Sequence, residues 1–480
     1  MSTKKLIKYL KIKKNDIDFI NVNNEKISED VKISNYFNQY FSTIGNVLAN
    51  KIKIPDNHFN LERTKRNENS IFLLPTESHE IKKIIKSLKN KIGGADKIHA
   101  RVLKHIVDYI AEPIAYIINL SMSKAVYPDH FKVAEIIPIY KTKDKHNLEN
   151  YRPISLISNL AKVFEKILHN RLLDFFVKHN IISEKQYGFV RNKGTKDAIA
   201  NLTDYIYKNL DSDNCTTAVM LDFSKAFDTV QHNILLNKLE LYGVRGKPLK
   251  LIKNYITNRY QYVKLNGKKS NMCELKIGVP QGTIMGPLFF IIYINEMLNL
   301  IPNILSYADD TVILCAEKTW VKTQETMQKY LLIINFWLSI NKLSLNVKKT
   351  EYLTFSIRCD KLPNNFELNI GNTRLNNVEN YKYLGIYIDQ HMRWDFHINQ
   401  IVKKLRYLLF VFYKLKYILN ENALMSIYYG LFHSIATYGI IAWGNSCKTV
   451  IEKIYKMQNR VLKIRINNNR INVSKKTTNY

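Results

Sequence analysis

The sequence predicts an α+β fold built on an antiparallel sheet. Two observations carry this. Short apolar, β-branched runs follow one another at hairpin distances, as in Ile304 to Leu314, with Asp309-Asp310 at the tip. Longer segments with apolar residues every three or four positions interrupt those runs, without the strict alternation of a doubly wound parallel sheet. The 480 residues are 46% apolar, which excludes a wholly disordered chain. At roughly 150 residues per domain the length suggests two to four domains.

Taken in order, the first element is a helix over Val31 to Ile52, with Phe37, Tyr40, Phe41, Ile44 and Leu48 on one stripe. Glu62 to Ser70 is polar and reads as a linker. A helix after Ser78 carries Ile81, Ile84, Ile85 and Leu88, with Gly93-Gly94 as its stop, and more helix runs through Leu120. Ala134 to Tyr140 is an Ile-rich strand, placed at an edge by Pro138. Lys141 to Asn150 connects, and Leu160 to Phe176 is helical. Ala218 to Asp222 is an apolar strand ending in a carboxylate. Val263 to Val279 gives short strands around an Asn266-Gly267 turn. Leu288 to Leu298 is a helix or a buried strand, which periodicity does not separate. Lys322 to Leu338 is a helix, and Tyr352 to Phe355 and Tyr383 to Ile388 are strands. Helix dominates from Trp394 onward, and Asn467 to Tyr480 reads as a frayed polar end.

Charge narrows the function. Lys and Arg number 72 against 41 Asp and Glu, a net +31. A chain this basic expects a polyanion, nucleic acid first. Its 30 tyrosines add faces on which bases stack. Cys215, Cys273, Cys315, Cys359 and Cys447 are scattered, with no C-x-x-C spacing, so neither a zinc knuckle nor a disulfide framework is indicated. Reduced thiols and an intracellular place fit, nuclear or cytoplasmic. The longest apolar runs, Leu288 to Ile294 and Tyr407 to Tyr413, fall short of the ~20 residues of a membrane span.

Against this basic background two acidic positions stand out. Asp222 closes one apolar strand, and Asp309-Asp310 separates two others. Asp is common in turns, yet a carboxylate ending a buried strand is costly unless paired or metal-bound. Neighbouring strands would bring Asp222 and Asp309 together, and two Mg²⁺ would relieve their repulsion. Metals about 4 Å apart activate an attacking 3′-oxygen and stabilise a pyrophosphate leaving group.

These motifs resemble the reverse transcriptases. Tyr307-Ala308-Asp309-Asp310 resembles their catalytic hairpin, and Leu221 to Asp228 the preceding catalytic strand. Gly278-Val279-Pro280-Gln281-Gly282 with Gly286-Pro287-Leu288 resembles the Gln-Gly loop, and Asn150 to Leu156 the fingers motif. Asn346 to Thr350 and Tyr383-Leu384-Gly385 resemble the last palm motifs, all in the family's order. Phe37-Asn38 with Phe41 and Gly45, Gly94-Asp96-Ile98, Trp394 with His397, Tyr438-Gly439, Trp443-Gly444 and Gln458-Asn459-Arg460 resemble the jockey-like branch of non-LTR (LINE-type) retrotransposons.

The resemblance implies a right-hand polymerase of fingers, palm and helical thumb. Residues 1–120 would be a helical N-terminal extension, 121–390 fingers and palm, and 391–480 thumb and tail. It implies Asp222, Asp309 and Asp310 as the acidic triad. Asp222, Asp309 and the Phe223 carbonyl would be direct ligands of two Mg²⁺, or of Mn²⁺ in their place, with Asp310 less directly engaged. Phe227 would be the steric gate against a 2′-OH. Lys141, with Lys143 as its competitor, and Arg152 would grip the triphosphate. Gln281 and Gly282 would contact the incoming nucleotide. Lys349 would be a general acid toward pyrophosphate. Tyr383, Leu384 and Gly385 would form the primer grip. His79 and His397 read as structural histidines.

The implied activity is RNA-directed DNA synthesis from dNTPs on an RNA template, from a DNA primer or nicked target DNA, without a membrane. A catalytically inactive, retroelement-derived RNA-binding protein is the alternative. Only about 120 residues precede the fingers, less than one typical domain, and neither an endonuclease nor an RNase H pattern is visible. The chain therefore reads as a partial element product. The oligomeric state stays open.

Overall fold

The structure is a computed structural model that describes residues 17–23, 25–53, 66–141, 144–356, 362–363 and 365–476, with side chains in the last helix described through residue 464. Lys143 and residues 62–65 of the expected linker lie outside the described residues. The principal elements are, in chain order, α1 (Asp30–Asn50), β1 (Val133–Tyr140), β2 (Tyr151–Leu156), α2 (Asn159–Lys178), α3 (Thr195–Asp211), β3 (Cys215–Leu221), β4 (Arg259–Leu265), α4 (Met285–Ile294), β5 (Ile304–Tyr307), β6 (Asp310–Glu317), β7 (Glu351–Phe355), β8 (Asn380–Tyr383), β9 (Ile386–Asp389), α5 (Asp395–Leu415) and α6 (Lys448–Lys476). They fall into two compact units. The first is Met1–Phe189, Phe223–Ile301 and Ile333–Leu345, and the second is Val190–Asp222, Pro302–Leu332 and Asn346–Tyr480.

In the first unit a sheet runs in the order β2, β1, β4 and a two-residue strand at Lys268–Lys269, with Cys273–Leu275 also paired to β4. β1 is antiparallel to β2 and parallel to β4. β1 is thus interior, where Pro138 had suggested an edge. The pairing with β4 covers only Val133 to Ile136, so the missing N–H at Pro138 falls beyond the doubly paired stretch. The apolar stripe of α1 lies in this unit's core, where Phe37 and Phe41 join Ile136, Tyr151 and Val263. Each such buried side chain contributes about 1.5–3 kcal/mol. Asn38 fixes the register of α1: its Nδ2 donates to the carbonyls of Gln261 at 3.2 Å and Asn271 at 2.7 Å, and its Oδ1 accepts from Gln261 Nε2.

The ambiguous run after Gly286 is the helix α4. Its apolar residues are buried all round, which explains why no amphipathic period marks it. Its start is held by Glu165 of α2, which is fully buried and accepts from the Ile284 N–H at 2.7 Å and the Tyr255 hydroxyl at 2.6 Å. Residues 66–70 are also less loose than a linker. Asn67 donates its N–H to the Leu241 carbonyl, and Ile71 to that of Gly243.

In the second unit the sheet order is a two-residue strand at Asn376–Asn377, then β7, β3, β6 and β5. β3, β6, β5 and β7 pair antiparallel, and β7 is parallel to Asn376–Asn377. Every residue of β3 is buried, as expected of a central strand rich in Thr, Val and Leu. Ile199, Leu202 and Ile206 of α3 share a core with Met220, Leu314 and Leu353 and with apolar residues of the β8–β9 hairpin, α5 and α6. Helix α6 runs to Lys476, so Asn467 to Lys476, expected to fray, has helical backbone. Among the described residues no helix is long and apolar enough to cross a membrane.

Candidate active site

The second unit carries the carboxylates. The β3–β6 ladder ends at Leu221 opposite Thr311. One further step of that register sets Asp222 opposite Asp310, with side chains on the same face. Asp310 opens β6 and pairs with Tyr307, leaving Ala308-Asp309 as a two-residue hairpin turn. Ala308 takes φ 57°, a left-handed value that L-residues rarely adopt. The Ser306 hydroxyl donates to the Ala308 carbonyl at 2.7 Å and so supports the turn. Tyr381 senses the grouping. Burial pushes its phenol up to about 12, and Asp310, Asp222 and Glu351 add to the shift.

The segment Asn346 to Thr350 clamps Asp222. The Asn346 N–H donates to the Asp222 carbonyl at 2.7 Å, and the Asp222 N–H donates to Thr350 Oγ1 at 3.3 Å. Lys349 follows, its Nζ 3.9 Å from Asp222 Oδ2, with side-chain exposures of 54% and 39%. An ion pair this open is weak, so the ammonium is free to serve another anion. Three oxygen donors at half-buried or exposed strand ends suit a hard divalent cation. Among the described residues no three His, Cys, Asp or Glu are gathered tightly enough to hold a metal as they stand. The aspartates therefore share one sheet rim without forming a closed cage.

The β8–β9 hairpin turns at Leu384, φ 44°, and Gly385, φ 93°. The Tyr438 hydroxyl donates to the Leu384 carbonyl at 2.6 Å, and its ring would lie 3.2 Å from a Cβ at Gly385. Trp443 Nε1 in turn donates to the Tyr438 carbonyl. The motifs at Tyr438 and Trp443 thus brace this hairpin. His397 is buried and neutral: burial, then Lys404, push its imidazole down to about 4, and its Nδ1 accepts from the Tyr387 N–H.

The remaining expected residues lie in the first unit. Ile139 pairs with Arg152 and Tyr140 with Tyr151, while the Lys141 N–H donates to the Asn150 carbonyl. That register puts Lys141 and Arg152, both exposed, on one face of the hairpin. Lys225 joins them. Burial lowers its ammonium, Arg152 and Lys141 lower it further, and Asp228 and Glu149 oppose. Its Nζ donates to the Tyr151 carbonyl at 3.2 Å. Three cations in one neighbourhood can hold a polyphosphate.

Phe227 is half-buried, its ring 4.8 Å from that of Phe290. Its carbonyl accepts from the Val279 N–H at 2.8 Å. Gln281 is tied at both ends: its carbonyl accepts from the Ser155 N–H at 2.7 Å, and its Nε2 donates to Asp228 Oδ1 at 2.9 Å. Gly282 has φ 98°, and a Cβ there would come 3.1 Å from the Ser155 carbonyl oxygen. Phe223 pairs with Leu345 in an isolated bridge flanked by a bond from the Ser224 N–H to the Ser344 carbonyl.

Sequence reasoning missed Lys225, Asp228 and Glu165. The first two stand inside the segment Leu221 to Asp228, where a charge beside an aromatic was the available signal. Glu165 lies in an ordinary helical pattern and gave none.

Residues 141–388 match the family described as reverse transcriptase (RNA-dependent DNA polymerase). The chain is 26% identical over 454 residues to the probable RNA-directed DNA polymerase from transposon BS of Drosophila melanogaster, covering 87% of this chain and 49% of that protein. It is 27% identical over 408 residues to the RNA-directed DNA polymerase from mobile element jockey of the same species, covering 80% and 43%. It is 25% identical over 402 residues to the probable RNA-directed DNA polymerase from transposon X-element, again of that species, covering 81% and 43%. The chain thus spans about half the length of the curated relatives it matches. With this match joined to the carboxylate hairpin, the chain belongs to the reverse transcriptase family, in its jockey-like non-LTR branch.

Proposed function

We propose that this chain is an RNA-directed DNA polymerase that extends a primer 3′-OH with dNTPs on an RNA template. The observation that carries the reading is the β3–β6 register, which sets Asp222 and Asp310 side by side next to the Asp309 turn. In this reading residues 121–390 act as fingers and palm, 391–480 as thumb and tail, and 1–120 as an N-terminal extension. Asp222, Asp309 and the Phe223 carbonyl would hold two Mg²⁺, with Asp310 supporting. Bound there, the metals supply Lewis acidity toward the attacking and leaving oxygens.

The protein's own groups do the rest. Lys141 and Arg152, with Lys225, bind and orient the triphosphate. Phe227 excludes a 2′-OH by bulk. Gln281 and the close-approaching Gly282 backbone orient the nucleotide. Lys349 delivers a proton to pyrophosphate as it leaves. Tyr383, Leu384 and Gly385 support the primer end, which belongs to DNA or to nicked target DNA.

The test is primer extension on a homopolymer RNA with Mg²⁺, beside salt-dependent RNA binding. Template-dependent dNTP incorporation is expected, with binding that weakens steeply with salt. Binding without extension would instead identify an inactive RNA-binding protein.

A further inference from the structure

Asp228 is a carboxylate of the first unit whose inward position no close ion pair explains. Its Oδ1 accepts from Gln281 Nε2 at 2.9 Å, while its Oδ2 is closed off from solvent with no hydrogen-bond partner among the described residues. A carboxylate in this state costs stability, and a turn that needed only an acceptor could use a neutral side chain.

The backbone around it is tightly confined. A Cβ at Gly45 of α1 would lie 2.0 Å from the Asp228 carbonyl oxygen, and one at Gly278 would lie 2.8 Å from the same atom. Residue 228 is therefore wedged between two glycines, one from the N-terminal helix and one from the Gln-Gly loop. Backbone bonds from the Val279 N–H to the Phe227 carbonyl and from the Gly278 N–H to the Val230 carbonyl, both 2.8 Å, staple the same two segments. The side chain thus projects from a backbone with no freedom to shift.

Chemistry then decides what it does to Gln281. Burial pushes the Asp228 carboxyl up to about 6, against the Gln281 bond and Lys225, so it is ionised at pH 7 and above. An ionised carboxylate only accepts hydrogen bonds, so it selects the nitrogen end of the carboxamide. The Gln281 oxygen must face the other way, as an acceptor. We propose that Asp228 is a positioning residue that locks the Gln281 carboxamide in one of its two flipped states, so that the amide oxygen is the atom offered to the incoming nucleotide. This rests on the nucleotide role proposed for Gln281.

The charged and titratable groups around Asp228 are Lys225 on its own segment, Tyr40 on α1, and His232, whose Nε2 meets the Gly278 carbonyl at 2.8 Å. None of them bonds the Gln281 amide, so the lock is Asp228's alone among them.

The experiment is steady-state dNTP incorporation on primed RNA with Mg²⁺, for D228A, Q281A, the double variant and D228N. D228A is expected to raise the KM for dNTP about tenfold, the loss of one charge-assisted hydrogen bond, with kcat changed less than about twofold. D228A with Q281A should be no worse than Q281A alone, because Asp228 acts only through Gln281. D228N keeps a neutral acceptor but can also donate, so it should recover only part of the loss, with KM between those of the native chain and D228A.

Multiplying losses in the double variant, or D228N as poor as D228A, overturns the inference. If D228A does not fold, Q281E takes its place. It sets two carboxylates together and should raise KM, and adding D228N should recover it; no recovery overturns the inference. A native chain that incorporates no dNTP at all overturns the polymerase reading and this one with it, whereas active enzyme with additive losses overturns this one alone.

Discussion

The two units treat charge in opposite ways. In the second, the aspartates stand at strand ends on a sheet rim, half-buried or exposed, with Asp222 loosely paired to an exposed Lys349. In the first, beside the exposed Lys141 and Arg152, several charges are taken inside and engaged: Glu165 holds the start of α4, Lys238 meets Glu296 at 2.5 Å, and Asp228 holds Gln281. A group that must bind metal or move a proton has to stay reachable. A group that positions backbone or an amide works better dry, where its hydrogen bonds face no competition from water.

The contrast can be broken most severely at the rim. Asp222→Asn or Asp309→Asn should reduce dNTP incorporation on a primed RNA below detection while RNA binding survives. Retained synthesis by either variant would remove the metal assignment. The next effect belongs to Phe227→Ala, which should raise rNTP use relative to dNTP by at least about tenfold, measured as the ratio of kcat/KM values. An unchanged ratio would leave Phe227 as a packing partner of Phe290.

The interior of the first unit should answer in stability. Glu165→Ala orphans the Ile284 N–H and the Tyr255 hydroxyl, each costing about 1–3 kcal/mol when buried. A lowered urea midpoint with an unchanged slope would register it. Burial holds His397 of the second unit down to about 4. A depressed histidine contributes stability that is full above its unfolded value, about 6.5, and is lost as pH falls through 4. Unfolding midpoints measured between pH 7 and 4 should therefore fall, and His397→Phe should flatten that slope. The smallest effect is Tyr438→Phe, which removes the bond to the Leu384 carbonyl, worth about 1 kcal/mol. It should weaken extension from short primers more than from long ones.

Much of this was legible in the sequence, for a physical reason. The hairpin at Asp309-Asp310 and the strand ending at Asp222 show because polar residues interrupt apolar runs there, and binary pattern is what a sequence displays best. The bounds of α1 follow from its period, within two residues, whereas β3 begins at Cys215, three residues before the expected Ala218. What stayed hidden depends on contacts across hundreds of residues. Gly45 meets Asp228 only because α1 packs against the first unit's sheet. Glu165 caps α4 from a helix over a hundred positions earlier in the chain. Asp228 shows in the sequence only as the end of a motif. Its role depends on which amide nitrogen lies 2.9 Å away, and no periodicity encodes that. The α4 run misled in another way: a helix buried all round has no polar face to betray its period.

The wedge formed by Gly45 has a practical consequence for anyone who trims the protein. The family-matched stretch, residues 141–388, looks like a self-sufficient fragment. Cutting to it would delete α1, unseat the Asp228 carbonyl, and bare the pocket that Phe37 and Phe41 fill beside Tyr151. The shortest piece worth expressing therefore begins upstream of Asp30, well before the residues that define the family.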